Sequence, residues 1–138
     1  MKYIILTYGT QQDYDVLVGT SDTHPALGPE DFGPMGEFME TFTQELIDSG
    51  ELVDNRGLAA PALTRRVQLR NGVPVVTDGP YAETQEVIAG YWIVECDGID
   101  RAVEIAARLG QCPSPGGIFA DSVADVRPLD DYSAELPS

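Results

Sequence analysis

An α+β fold, with helices covering one face of a sheet, is predicted for this 138-residue chain by three features of its sequence. KYIILTY (residues 2–8) and EVIAGYWIVEC (86–96) are apolar on both of their alternating faces, the pattern of central strands covered on both sides. PMGEFMETFTQELIDSG (34–50) and DGIDRAVEIAARLG (97–110) repeat their apolar residues at helical spacing. Between TRRVQLR and VPVVTDG lies Asn71-Gly72, a two-residue turn that only a tight hairpin uses well.

The first strand places Tyr3, Ile5 and Thr7 on one face and Ile4, Leu6 and Tyr8 on the other. A connection rich in Gly, Asp, Thr and Pro then runs from Gly9 to Gly33, with DYDVLVG (13–19) as a short element inside it. Connections of that length are functional or mobile, and this one holds the single histidine, His24. In the first long helix Pro34 suits the opening turn and Gly50 the stop. Met35, Phe38, Met39, Phe42 and Leu46 make its buried stripe, and Glu37, Glu40, Glu45 and Asp48 fall mostly on a solvated face.

ELVDNRGLAA (51–60) supplies a short strand. The Asn71-Gly72 turn sets the hairpin register that follows: Arg70 opposite Val73, Leu69 opposite Pro74, Val67 opposite Val76 and Arg65 opposite Asp78. The last pair is non-hydrogen-bonded, so its side chains meet closely. Ile88, Trp92, Val94 and Cys96 alternate with Val87, Ala89, Tyr91 and Ile93 in the longest strand. In the second long helix Asp97 or Asp100 is the expected cap, Gly110 the stop, and Ile99, Ala102, Val103 and Ala106 the buried stripe. SVADVRPL (122–129) is the last strand. Residues 1–130 thus read as one domain, with a frayed tail over 131–138. Without its hairpin the order is βαββαβ, a ferredoxin-like split βαβ. Two helices cover one face of such a sheet, so a second copy of the chain is the expected cover for the other.

Composition narrows the function. Hydrophobic residues at 43% rule out a disordered chain, and no apolar run approaches the roughly 20 residues of a membrane span. A net charge of −15, from 23 acids and 8 bases, repels phosphate backbones and anionic membrane surfaces. MKYIILTYGT lacks the apolar stretch of a signal peptide, which points to the cytoplasm. Cys96 and Cys112 make no disulfide framework, and no Cys/His spacing suits zinc. Nucleotide loops and nucleophile elbows are absent too, so neither a metal nor a cofactor is expected.

The stretch with the densest chemistry is VTDGPYAETQEVIAGYWIVE (76–95), which resembles the DGPF signature of the YCII-related family. MKYIILTYG, FTQELIDSGELV, GLAAPALTRRVQLRNGVPVVTDGP and VADVRPL also look like that family, so the resemblance spans nearly the whole chain. It implies a ferredoxin-like unit that pairs into a dimeric α+β barrel. The wider superfamily includes an enzyme that removes chloride from a chlorinated hydroxyquinol, and a His–Asp pair is the proposed site in some members. There the histidine lies on the first helix, where this chain carries Met35, Glu37, Met39 and Glu40; Tyr81 replaces the usual Phe and Gln85 the usual Lys. Related proteins are often encoded beside extracytoplasmic-function sigma factors, which implies a regulatory module as the alternative to an enzyme.

Candidate site residues follow from both readings. Asp78 either bends the chain at Asp-Gly-Pro through bonds to nearby amides, or is held charged by Arg65 at a cavity mouth to bind a ligand or accept a proton. An Arg beside it lowers its basicity, so ordering and binding suit the pair better than proton abstraction. Glu83 and Glu86 precede the longest strand, and Tyr81 can reach a ligand through its hydroxyl. Tyr8, Tyr91 and Trp92 either line a pocket or pack the core. His24 is the side chain that titrates near neutrality without help. The reading that combines them is a cytoplasmic homodimer binding a small polar or aromatic metabolite. Its chemistry would be that of a cofactor-free lyase or isomerase, with Asp78 and His24 as catalytic groups. Arg65, Tyr81, Glu83, Tyr8 and Trp92 would bind the substrate.

Overall fold

The computed structural model describes residues 1–130; the tail predicted over 131–138 lies outside the described residues. In chain order the elements are β1 (Lys2–Gly9), α1 (Gln11–Val18), α2 (Gly33–Asp48), β2 (Leu52–Gly57), β3 (Arg65–Arg70), β4 (Val73–Asp78), β5 (Val87–Glu95), α3 (Ile99–Leu109) and β6 (Ala124–Pro128). Four strands form one antiparallel sheet in the order β2-β5-β1-β6. This is the ferredoxin-like arrangement. β3 and β4 stand apart as a two-stranded sheet. Their register pairs Arg65 with Asp78, Val67 with Val76 and Arg70 with Val73, as the two-residue turn requires. Asn71 and Gly72 both adopt the positive φ that such a turn needs.

α2 and α3 lie on one face of the sheet. Tyr3 and Ile5 of β1 and Val94 of β5 pack there against Phe42 and Leu46 of α2 and Ala102, Ile105 and Leu109 of α3. Trp92, Ala124 and Val126 join this core from the same sheet face. The opposite face carries Ile4, Leu6 and Ile93, all half-buried. The strands are therefore apolar on both sides with helices on one.

One local expectation is sharpened and two change. DYDVLVG belongs to a full helix, α1, which starts immediately after β1 because Thr10 caps it: the Thr10 hydroxyl accepts from Asp13 N and the Asp13 carboxylate from Thr10 N. Neither Asp97 nor Asp100 caps α3; Gly98 occupies the N-cap position and no side-chain bond is made there. Of the expected stripe of α3, Ala102 is buried and Ala106 packs against the core, but Ile99 and Val103 are exposed and Ile105 and Leu109 are buried instead. α2 follows expectation at its end, where Gly50 takes φ +77° and Glu51 N reaches back to Leu46 O at 3.0 Å.

A clamp joins α3 to the end of α2. Glu51 accepts from Arg101 Nη2 at 2.7 Å, Arg101 Nε at 2.9 Å and the Ser49 hydroxyl at 2.9 Å. The Arg101 guanidinium holds the Glu51 carboxyl below its ordinary range, against the partial burial that would raise it, and Ser49 adds to the lowering. A carboxyl with a depressed folded value contributes stability above its unfolded pKa and loses it as pH falls through the folded one. Glu51→Gln is expected to flatten the fall of stability below about pH 4.5. Urea midpoints at pH 3 and pH 7 check this; equal pH dependence in the two proteins would contradict it.

Candidate functional site

A cavity of about 380 Å³ opens between the helix-bearing sheet face and the helices. Its floor is Thr7–Gly9 of β1, Ala89 and Trp92 of β5, and Ala124 of β6. α1 forms one wall with Asp13, Tyr14 and Leu17, and α2 another with Met35 and Met39. Ala106, Leu109 and Cys112 close it from α3 and the turn beyond, with Phe119 and Val123 from the approach to β6. Met35 and Met39 are one helical turn apart, so the stripe that buries Phe42 and Leu46 continues into the cavity. Of the chain's aromatic residues, the single tryptophan is among those it exposes to the cavity.

The shape depends on an irregularity in the sheet. The β1–β5 register shifts between Thr7 and Tyr8, where Thr7 pairs with Gly90 and Tyr8 with Ile88. The extra residue is Ala89, which lines the cavity, and its carbonyl accepts from Leu58 N at 2.8 Å. Tyr14 Oη donates to Leu58 O at 2.8 Å and lies 3.4 Å from Ala89 O, tying α1 to the ends of β2 and β5. Burial pushes the Tyr14 hydroxyl above its ordinary pKa, and does the same to the Cys112 thiol, so both stay protonated near neutrality. Trp92 Nε1 is buried and has no hydrogen-bond partner; its ring packs edge-on against Phe42 at 5.6 Å.

The DGPY stretch lies beside this wall. Gly79 takes φ +52°, and a Cβ there would stand 3.3 Å from Ala62 O. Its N–H donates to Thr64 O at 2.7 Å, which closes the hairpin root. Gln12 N donates to Glu83 O at 3.2 Å, and Gln11 Oε1 accepts from Ala62 N at 2.8 Å. Both strands of the hairpin root are thereby pinned to α1.

The residues singled out from the sequence separate into two groups. Trp92 lines the cavity, and Tyr8 borders it from β1 while its hydroxyl is held by Asp125 on the opposite sheet face. Arg65 and Asp78 meet as predicted, Nε to Oδ1 at 3.0 Å, but with side chains 73% and 77% exposed, and neither is part of the lining. Pairs so open to water contribute little to stability. Tyr81 is half-buried under the Arg66 guanidinium, 5.5 Å from ring centroid to Cζ. Glu83 and Glu86 are exposed. His24 is exposed, with Nδ1 3.1 Å from the Thr23 hydroxyl.

The opposite sheet face carries two tyrosine–carboxylate pairs. Tyr8 Oη donates to Asp125 Oδ2 at 2.6 Å and Tyr91 Oη to Asp54 Oδ2 at 2.9 Å. Each carboxylate holds its partner's phenolic proton, which raises both tyrosine pKa values. Asp13, Tyr14 and Cys112 were missed as site residues; Thr10-Gln-Gln-Asp13, a capping box directly after a strand, was the signal that could have placed α1 and Asp13 at the sheet's end. Among the described residues no group of three or more His, Cys, Asp or Glu is placed to hold a metal ion. No helix among them is long and apolar enough to cross a membrane.

This arrangement matches a known family. The model of the YCII-related domain covers residues 1–123, from β1 to the approach to β6. The chain belongs to the YCII-related family. An uncharacterized protein of Rhizobium meliloti (strain 1021) is 31% identical to it over 96 residues, 69% of this chain and 73% of the relative. In this YCII-related domain the segments on either side of the hairpin, at Ala62 and Glu83, are bonded to α1, the helix that walls the cavity.

Proposed function

We propose that this YCII-related protein is a homodimer in which each protomer binds a small, largely apolar or aromatic metabolite in the cavity between sheet and helices. The cavity itself carries the proposal. Its volume falls within the range of small-molecule sites, and its lining is apolar with a few polar groups on one side, Asp13, Tyr14 and Thr7. A lyase or isomerase working there would use Asp13, the lining's carboxylate, to move the proton.

The dimer rests on surfaces that water covers poorly. The hairpin exposes Val67 (63%), Leu69 (68%) and Val76 (54%), and an isolated two-stranded hairpin is marginal in water. It carries three of the chain's eight basic residues and one of its 23 acids, opposite in sign to the remainder. A second copy of this acidic chain is the complementary partner for it, and the half-buried face of Ile4, Leu6 and Ile93 is the matching apolar surface.

Methyl 3-phenylpropionate, an uncharged aromatic probe, is expected to change Trp92 emission saturably at one site per protomer and to raise the melting temperature. The protein is expected to sediment as a dimer, and the Leu69→Glu/Val76→Glu variant as a folded monomer. No response from this or other uncharged aromatic probes would overturn the binding site, and a wild-type monomer at micromolar concentration would overturn the dimer.

A further inference from the structure

We infer that the cavity selects against negative charge, and that its ligand is a neutral or singly cationic molecule with an apolar body. The inference rests on the cavity being the binding site and adds the class of ligand it takes. Asp13 is the one charged side chain in the lining, and among the described residues no Lys, Arg or His reaches it. The eight residues after Asp130 contain no base either, and add two acids.

The bases nearest the cavity along the chain stay outside its lining. Arg56, in β2, pairs with Asp54 at 3.2 Å, and Arg127, in β6, acts on the Tyr8–Asp125 pair on the opposite sheet face. Arg108 pairs with Glu45 at 3.2 Å and lies over the Phe38 ring at 4.8 Å. A carboxylate or phosphate can also be held by free amides at a helix start, but three amides in the first turn of α1 are already bonded. Gln12 N donates to Glu83 O, Asp13 N to the Thr10 hydroxyl at 3.0 Å, and Tyr14 N to Thr10 O at 3.2 Å. An anion entering would lose its hydration, gain no cationic partner and face Asp13 within a chain of net charge −15.

A cation meets the reverse conditions. The Asp13 carboxylate accepts one bond from Thr10 N at 2.9 Å and retains lone pairs for another donor. The Met35 and Met39 thioethers and the aromatic rings of Trp92 and Phe119 give a polarisable lining that tolerates positive charge.

Three probes of one skeleton test this: 3-phenylpropylammonium, methyl 3-phenylpropionate and 3-phenylpropionate, titrated against Trp92 emission at neutral pH. The ammonium and the ester are expected to bind about tenfold or more tightly than the carboxylate. Asp13→Asn, which keeps an acceptor for the Thr10 amide, is expected to weaken the ammonium and leave the ester unchanged. Binding of the carboxylate as tightly as the ester would overturn the charge selection while leaving the cavity as a binding site. Silence from all three would remove the cavity reading and this inference with it.

Discussion

Phe42→Ala is expected to lower the free energy of unfolding by about 3–5 kcal/mol, a large part of the roughly 5–15 kcal/mol that holds a domain folded. Phe42 is 2% exposed, and its ring stacks on Phe38 at 6.3 Å while meeting the Trp92 edge at 5.6 Å. Truncation opens a hole in the core over β1 and β5, whose backbone cannot close on it without breaking the sheet ladder. α2 is also the helix that most needs this anchor, because Thr41 and Thr43 flank Phe42 and β-branched residues add little intrinsic helicity. Phe42→Leu keeps part of the volume and should cost less. Urea unfolding followed at Trp92 measures both, with a lower midpoint at unchanged slope as the expected form. A loss below 1 kcal/mol for the alanine variant would mean that α2 does not pack on the sheet through this residue.

What could be read from the sequence and what could not have physical reasons. Strand faces were legible because alternation is a local property: Tyr3 and Ile5 against Ile4 and Leu6 needs no knowledge of the partner strand. The hairpin register was legible because a two-residue turn leaves one way to pair, and Arg65 does face Asp78. The setting of that pair was not legible. Nothing local says whether a hairpin folds back on its sheet or stands away from it, and here it stands away, leaving both side chains in water. The rotation of α3 was hidden for a similar reason. Ile99 and Val103 are as apolar as Ile105 and Leu109, and only the position of the helix over β1 and β5 decides between the two stripes.

The signature stretch shows the same division. Its residue types suggested chemistry at Asp78, Tyr81 and Glu83, and Gly79 was read as turn material. In the fold the glycine has the strictest demand, with φ +52° and Ala62 O close to where a Cβ would stand. Glu83 acts through its backbone carbonyl, which binds Gln12 N and so helps to seat α1. The loop part of the stretch, residues 78–83, is connected to the cavity through α1, whereas its strand part places Ala89 and Trp92 in the lining. A scaffold role for the signature and a ligand site in the cavity are compatible, because the wall that carries Asp13 and Tyr14 is held in place by the loop behind it.

Gly90→Ala, compared with Gly57→Ala, tests that the sheet irregularity builds the cavity floor. The two glycines face each other across β2 and β5, and both are strand residues with no positive φ. Their surroundings differ. A Cβ on Gly90 would stand 2.9 Å from Arg56 O and 3.5 Å from Gly57 Cα, whereas a Cβ on Gly57 meets nothing within 4 Å. A backbone carbonyl cannot swing aside as a flexible side chain can, so Gly90→Ala must push β2 away from β5. That movement strains the Leu58 N to Ala89 O bond and the Tyr14 hydroxyl contacts beside it. The expected loss is about 1–3 kcal/mol, with a shift in Trp92 emission and weaker binding of methyl 3-phenylpropionate. Gly57→Ala should be neutral or stabilising by up to about 1 kcal/mol, since alanine replaces a glycine without a clash. Equal effects from the two substitutions, measured by urea midpoints, would show that the β2–β5 approach at Gly90 is not a tight one. The bulged residue Ala89 would then lose its role in setting the width of the cavity.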